Sequence, residues 1–214
     1  MDSSLLLAPR RQSKASWRKT AAALVISGVA LLGAAAYMHG DLLASPVRMR
    51  YNRNVAARAA VGDAAPEFSL PSASGKAVSL SSFRGPFGLE QLSKPVVVYF
   101  YGGQGSPSCT KQAEAFARAY PDFKKAGAEV LGVSRDSVDF SKDWKAEKEL
   151  PFPLLSDAEG KIRDAYGIKK DFFGALDGRE TYVIGRDGKI KMKFNNQFDV
   201  DAHVDKALSA LEGL

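Results

Sequence analysis

The chain reads as an α/β protein. Three observations point there. Runs rich in β-branched and aromatic residues, PVVVYFY at 95–101 and EVLGVS at 129–134, have the composition of buried strands. Between and after them lie stretches with apolar residues at helical spacing. Near the end, an Asp-Gly turn signal at Asp187-Gly188 joins two strand-like runs ahead of a last helical stretch.

Taken in order, the folded part is expected from Val61. Phe68 to Pro71 and Ala77 to Leu80 read as short strands around the turn Ala73-Ser74-Gly75-Lys76, and Gly85-Pro86-Phe87-Gly88 marks a loop. Pro95 opens the first long strand, where its missing N–H is tolerated. A helix is expected from Cys109 to Tyr120, with Ala113, Phe116, Ala117 and Tyr120 on one side. Pro121 is expected to restart a second helical piece ending at Gly127. Glu129 to Ser134 is a buried strand, and Ser137 to Leu150 a helix with Phe140 and Trp144 on one face. Pro153 to Ser156 is a short strand, and Lys161 to Tyr166 a helix stopped by Gly167. Thr181 to Ile184 and Lys189 to Asn195 form the hairpin, and Asp201 to Leu211 the last helix. Strands alternating with helices, then a hairpin and a helix, indicate one thioredoxin-like α/β domain, 61–214, with a central mixed β-sheet flanked by helices.

Residues 1–60 read as a targeting leader that is removed. Arg10, Arg11, Lys14, Arg18 and Lys19 precede an uncharged, Ala- and Gly-rich run from Thr20, and Ala34 and Ala36 form an A-x-A-like site. Arg48, Arg50, Arg53 and Arg58 then follow with no acid after Asp41, the composition of a transit peptide. Signal plus transit is the layout of a plastid precursor. The alternative is a retained membrane anchor at residues 20–40. The formal net charge is +6, but residues 1–59 hold nine Lys/Arg against two Asp/Glu, and the rest holds 21 against 22. The folded part therefore gives no sign of a nucleic-acid partner.

The single cysteine, Cys109, excludes an intramolecular disulfide, a CxxC pair and a cysteine-rich zinc site. With two histidines, one of them in the leader, no metal site is expected and no cofactor is implied. His203 is expected on the surface of the last helix. Cys109 lies where a strand hands over to a helix. Unpaired backbone N–H groups and the helix dipole there favour thiolate over thiol. Ser106 offers a hydroxyl to a sulfur or an attacked oxygen. Gly102, Gly103 and Gly105 let the backbone approach a small ligand closely, although the bland reading of these glycines is a flexible loop. No G-K-[ST] ending makes it a phosphate loop.

From Val61 to Leu214 the chain resembles the peroxiredoxins, and their Q-type (bacterioferritin comigratory protein) branch in particular. The stretches that carry the resemblance are VVVYFY, CTKQA, FKKAGAEVLGVS, LPFPLLSD, DFFGALDGRETYVI and FNNQF. The resemblance implies a thiol peroxidase acting on hydrogen peroxide and organic hydroperoxides. Cys109 falls on the peroxidatic cysteine, Ser106 on the hydroxyl residue of the motif before it, and Arg179 on the active-site arginine. Ser106, Ser108 and Arg179 are the expected substrate-binding side chains.

Two positions depart from the family pattern. Gly102 stands where the motif opens with proline, and Glu114 where many Q-type members carry a resolving cysteine. A one-cysteine mechanism is therefore expected, with an external thiol of thioredoxin, glutaredoxin or glutathione type reducing the sulfenic acid. The resemblance and leader together imply a plastid monomer, with thylakoid association a further expectation. The competing reading is a non-catalytic thioredoxin-fold subunit or redox sensor bound to a membrane complex. A thioredoxin-like disulfide reductase is excluded because there is no second cysteine.

Overall fold

Two short strands, β1 (Ser69–Pro71) and β2 (Ala77–Ser79), pair antiparallel around the expected turn, with Leu70 opposite Val78. A 3-10 turn, Leu80–Phe83, follows. The main body is then β3 (Val96–Phe100), α1 (Pro107–Lys125), β4 (Glu129–Ser134), α2 (Val138–Glu147), β5 (Leu154–Ser156) and α3 (Lys161–Ala165). A 3-10 turn, Phe172–Gly174, leads to β6 (Glu180–Ile184), β7 (Ile190–Asn195) and α4 (Val200–Glu212). The computed structural model describes residues 59–83, 85, 93–103 and 105–214. The expected leader up to residue 58, the loop residues Pro86 to Gly88, and Gln104 lie outside the described residues. Among the described residues no helix is long and apolar enough to cross a membrane.

The main sheet is mixed, in the order β5-β4-β3-β6-β7. β3 runs parallel to β4 and antiparallel to β6, with Val98 opposite both Leu131 and Tyr182. Every residue of β3 is buried. Its side chains alternate between faces and so feed two cores. Val97, Tyr99 and Tyr101 pack with Phe116 and Phe123 of α1, Trp144 of α2, and Val204, Ala207 and Leu211 of α4. Val96, Val98 and Phe100 pack with Phe68, Leu80, Tyr166 and Tyr182. A strand covered on both sides reads as the continuous apolar run seen at 95–101. Ala59 is already part of the second core, so packing begins just ahead of Val61.

Three local expectations are corrected. The helix expected from Cys109 begins at Pro107 and runs unbroken through Pro121 to Lys125. Proline removes its own N–H bond to the preceding turn and crowds the carbonyl there, which is a local cost. Phe116 and Phe123, with ring centroids 5.7 Å apart, anchor the helix on both sides of that gap. On α2 the buried face is Ser141 and Trp144, while Phe140 is exposed. Trp144 packs at 5.9 Å from the Tyr101 ring, and the residue one turn before it that meets the core is at i−3, not i−4. His203 is fully buried rather than on the surface. Its Nε2–H donates to the Asn196 carbonyl at 2.8 Å, and its Nδ1 accepts from the Thr181 hydroxyl at 2.8 Å.

Candidate active site

β3 leads through Tyr101, Gly102 and Gly103 into the start of α1. Gly105 makes the last turn of that loop at φ +83°, a conformation side chains beyond glycine rarely adopt. Ser106 is then the N-cap, with extended backbone, and its Oγ accepts the Cys109 N–H at 3.2 Å. Pro107 occupies the first helical position, where no hydrogen bond is lost. Cys109 is thereby fixed in the first turn of α1, at the positive end of a long helix. Its side chain is almost wholly buried.

Arg179, the residue before β6, reaches the same place from the neighbouring strand. It is only 1% exposed. Its Nη2 lies 3.3 Å from Cys109 Sγ and donates to Ser108 Oγ at 3.1 Å. Its Nη1 reaches the Ser108 carbonyl at 3.5 Å and donates to Gln112 Oε1. The guanidinium is thus oriented by two groups of α1 while one nitrogen faces the sulfur.

The electrostatics follow from these contacts. Burial is the largest influence on the Cys109 thiol and pushes it up. The Ser106 hydroxyl, the Arg179 cation and the N–H groups of Gly103 and Gly102 pull it down, and the balance lies below the ordinary thiol value. Cys109 opens onto a cleft of about 500 Å³ whose lining includes Gly102, Ser106, Leu176, Arg179 and Gln197. Arg135, Lys170 and Asp177 also face it. A Cβ at Gly102 would stand 3.3 Å from the Asp177 carbonyl, so this departure from proline sits where the loop and the strand lead-in already press together.

Four residues singled out from the sequence, Ser106, Ser108, Cys109 and Arg179, come together here. Ser108 lines the cleft, and its hydroxyl accepts from Arg179. Sequence reasoning missed Gln112, Gln197 and Arg163. Gln112 follows Cys109 by one helical turn, and that spacing was the available signal. Gln197 lies within the quoted FNNQF stretch. Arg163 sits in a charged helical segment that reads as surface, yet it is 4% exposed. Among the described residues no group of three or more His, Cys, Asp or Glu is arranged to hold a metal ion. The arrangement can stabilise a thiolate and, beside it, a growing negative charge on a small bound molecule.

Comparison with known proteins gives consistent matches. A family model described as the AhpC/TSA family matches residues 61–193. Peroxiredoxin Q, chloroplastic, from Suaeda salsa is 44% identical over 177 residues, covering 82% of this chain and 79% of that one. The protein of the same name from Sedum lineare is 42% identical over 178 residues, covering 83% and 91%. Among solved structures, peroxidoxin BcpB from Mycobacterium tuberculosis is 33% identical with a TM-score of 0.63, covering 72% of this chain and 97% of that one. The Xanthomonas campestris bacterioferritin comigratory protein, described for its alkyl peroxide reduction activity, is 30% identical with a TM-score of 0.59, covering 68% and 90%.

Proposed function

The chain belongs to the AhpC/TSA family, among the Q-type peroxiredoxins, and from that premise we propose a one-cysteine mechanism in which Cys109 is the nucleophile. The protein is a thiol-dependent peroxidase. The Cys109 thiolate attacks the terminal oxygen of a hydroperoxide, a sulfur–oxygen bond forms, and the O–O bond breaks. The alcohol or water oxygen leaves with the bond pair and takes up a proton. Cys109 is left as sulfenic acid. An external thiol then attacks that sulfur, water leaves, and a mixed disulfide forms. A second thiol releases Cys109 as thiol and carries away the disulfide.

The single observation that carries this assignment is the Arg179 Nη2 to Cys109 Sγ distance of 3.3 Å at the start of α1. One nitrogen of a rigid, always-charged fork beside the sulfur favours the thiolate and faces the leaving oxygen. Ser106, as cap and as hydroxyl donor, supports the same charge. Ser106, Ser108 and Arg179 are the substrate-binding side chains in this reading. Ala175 and Leu176 add an apolar lip to the cleft, which suits an organic hydroperoxide as well as hydrogen peroxide.

The test is direct. Cys109→Ser should abolish peroxide consumption with a small thiol as reductant. The wild type should accept a dimedone-type label after one equivalent of peroxide. Undiminished turnover in Cys109→Ser would end this reading in favour of a non-catalytic subunit.

The chloroplastic relatives support a plastid location. The finer proposals are a monomer, association with the thylakoid, and a cleaved leader of residues 1–60. The arginine-rich, acid-poor stretch before Val61 supports the cleavage. A native N-terminus upstream of Thr20, with extraction needing detergent, would replace it with a retained anchor.

A further inference from the structure

We propose that Arg163 is a positioning residue that sets the reactivity of Cys109 by tying together the two backbone segments flanking the thiol. The proposal rests on the assignment of Cys109 as the nucleophile. Arg163 lies on the short helix α3, on the side of the sheet away from α1. Its Nη1 donates to the Gly178 carbonyl at 2.8 Å, and its Nη2 donates to the Tyr101 carbonyl. Each carbonyl belongs to a residue that immediately precedes a working group. Gly178 precedes Arg179, whose guanidinium touches the sulfur. Tyr101 precedes Gly102 and Gly103, whose N–H groups help to hold the thiolate. One planar fork therefore fixes the spacing between the arginine lead-in and the glycine loop.

The anchoring of Arg163 itself is firm. The Asp157 carboxylate, just after β5, accepts the N–H groups of Ile162 at 3.1 Å and of Arg163 at 2.9 Å. The guanidinium also stands 5.7 Å from the centre of the Phe100 ring. The start of α3 is thus pinned to the end of one strand, and the arginine reaches from there to two others.

The energetics argue against mere filling of space. A buried cation is costly unless paired with a counter-charge. Among the described residues Arg163 has no carboxylate within ion-pair distance. It meets main-chain carbonyls instead, so what the fork adds over an apolar side chain of similar volume is directional bonding to those two carbonyls. The charged groups acting on it are Asp177, Asp157, Arg135 and Cys109. Cys109 in turn feels the Arg179 and Arg163 cations, while burial keeps the Tyr99 hydroxyl of β3 neutral. Asp177 and Arg135 face the cleft, Asp157 caps the helix of Arg163 itself, and Glu159, Asp164 and Lys170 stand around the same hollow as Arg163.

The experiment measures the pH dependence of Cys109 alkylation by a haloacetamide in the full folded chain. That reaction reports thiolate and needs no peroxidase turnover. Hydrogen peroxide oxidation rates are measured alongside. Arg163→Met should move the alkylation midpoint to higher pH. It should also slow oxidation at neutral pH by about tenfold, less than the loss expected for a donor in direct contact with the reacting atoms. Arg163→Lys keeps the charge and one carbonyl bond and should recover part of both. If Arg163→Met does not fold, Arg163→Gln, neutral and with one donor nitrogen in place of the fork, should show the same direction of shift. A wild-type alkylation profile and oxidation rate in a folded Met or Gln variant would overturn the proposal. A wild type that alkylates normally but consumes no peroxide would instead overturn the peroxidase reading and leave the role of Arg163 to the alkylation profile.

Discussion

Cys109 at the start of α1 and His203 on α4 are both buried, both titratable and both within the influence of Arg179, yet Cys109 is shifted towards its charged form and His203 away from its charged form. Burial disfavours charge on each. At Cys109 that penalty is outweighed by the Ser106 hydroxyl, the Arg179 cation and two loop N–H groups. At His203 burial dominates. The Asn196 carbonyl favours the imidazolium, but Arg179 opposes it, and the group falls to about 4. The same guanidinium supports an anion on one helix and suppresses a cation on another. One region is therefore built for charge, and the other for a neutral hydrogen-bonded wedge between β6 and the Asn196 turn. Burial by itself does not separate a reactive group from a structural one. The neighbours that face it do.

Removing the shared arginine breaks this comparison most sharply. Arg179→Ala should slow peroxide oxidation of Cys109 by on the order of a hundredfold or more, as for loss of one preorganised donor. Arg179→Lys should lose less, because it keeps the charge but not the fork. In Arg179→Ala the Cys109 alkylation midpoint should rise. The His203 midpoint, followed by NMR of the imidazole, should rise too. Both shifts are upward, but the first means less thiolate and the second more imidazolium. Unchanged oxidation rates across the three proteins would contradict the role given to Arg179.

The His203 side of the comparison predicts a stability profile. A histidine with an ordinary value of 6.5 that falls to about 4 in the fold favours the neutral form. Its contribution is fully present above about pH 6.5 and is lost as pH falls towards about 4. The integrated effect is roughly 3 kcal/mol. Denaturant melts at several pH values should show that slope in the wild type. In His203→Gln the slope should flatten, with a loss at pH 7 of about 1–3 kcal/mol from the disturbed hydrogen bonds. An equal slope in both proteins would place the acid sensitivity elsewhere.

The smallest effect on turnover is expected from Glu114→Cys, which asks whether the reactive end of α1 can open. α1 is continuous from Pro107 past Glu114. Positions five apart on a helix are separated by about 8–9 Å between Cα atoms, and a disulfide needs less than about 7 Å. The first turn must unwind before the two sulfurs can meet, against the Ser106 cap. The wild type should form no intramolecular disulfide. Glu114→Cys should form one after a single equivalent of peroxide, seen as a non-reducing gel shift with peptide mapping. Accumulation of only sulfenic and sulfinic acid would show that the capped end of α1 stays closed.

Some of the site was legible in the chain and some was not. The Ser106-Pro107-Ser108-Cys109 segment follows a strand-like run and precedes a helical one, so a cysteine at a helix start could be read locally. Arg179 was found by resemblance, since nothing in Gly178-Arg179-Glu180 places it near a residue 70 positions away. Ser108 was singled out as a substrate contact, and its observed partner is that same arginine. Phe140 and His203 were misread for one reason. Helical spacing says which residues share a face, but not which of two apolar faces the sheet will cover.

The strands and the place of Cys109 in the first turn of a helix were determined by the sequence itself. They depend on interactions over a few residues: β-branched runs, a serine cap, a proline at the first helical position and an Asp-Gly turn. Only the tertiary structure decided that Arg179 would meet Cys109 and that Gln112 would orient it. The same holds for Arg163 reaching the Tyr101 and Gly178 carbonyls, and for His203 lying under β6. Each depends on which strands pair and which faces pack. The cost of burying a charge, and the groups that offset it, exist only once distant segments have come together.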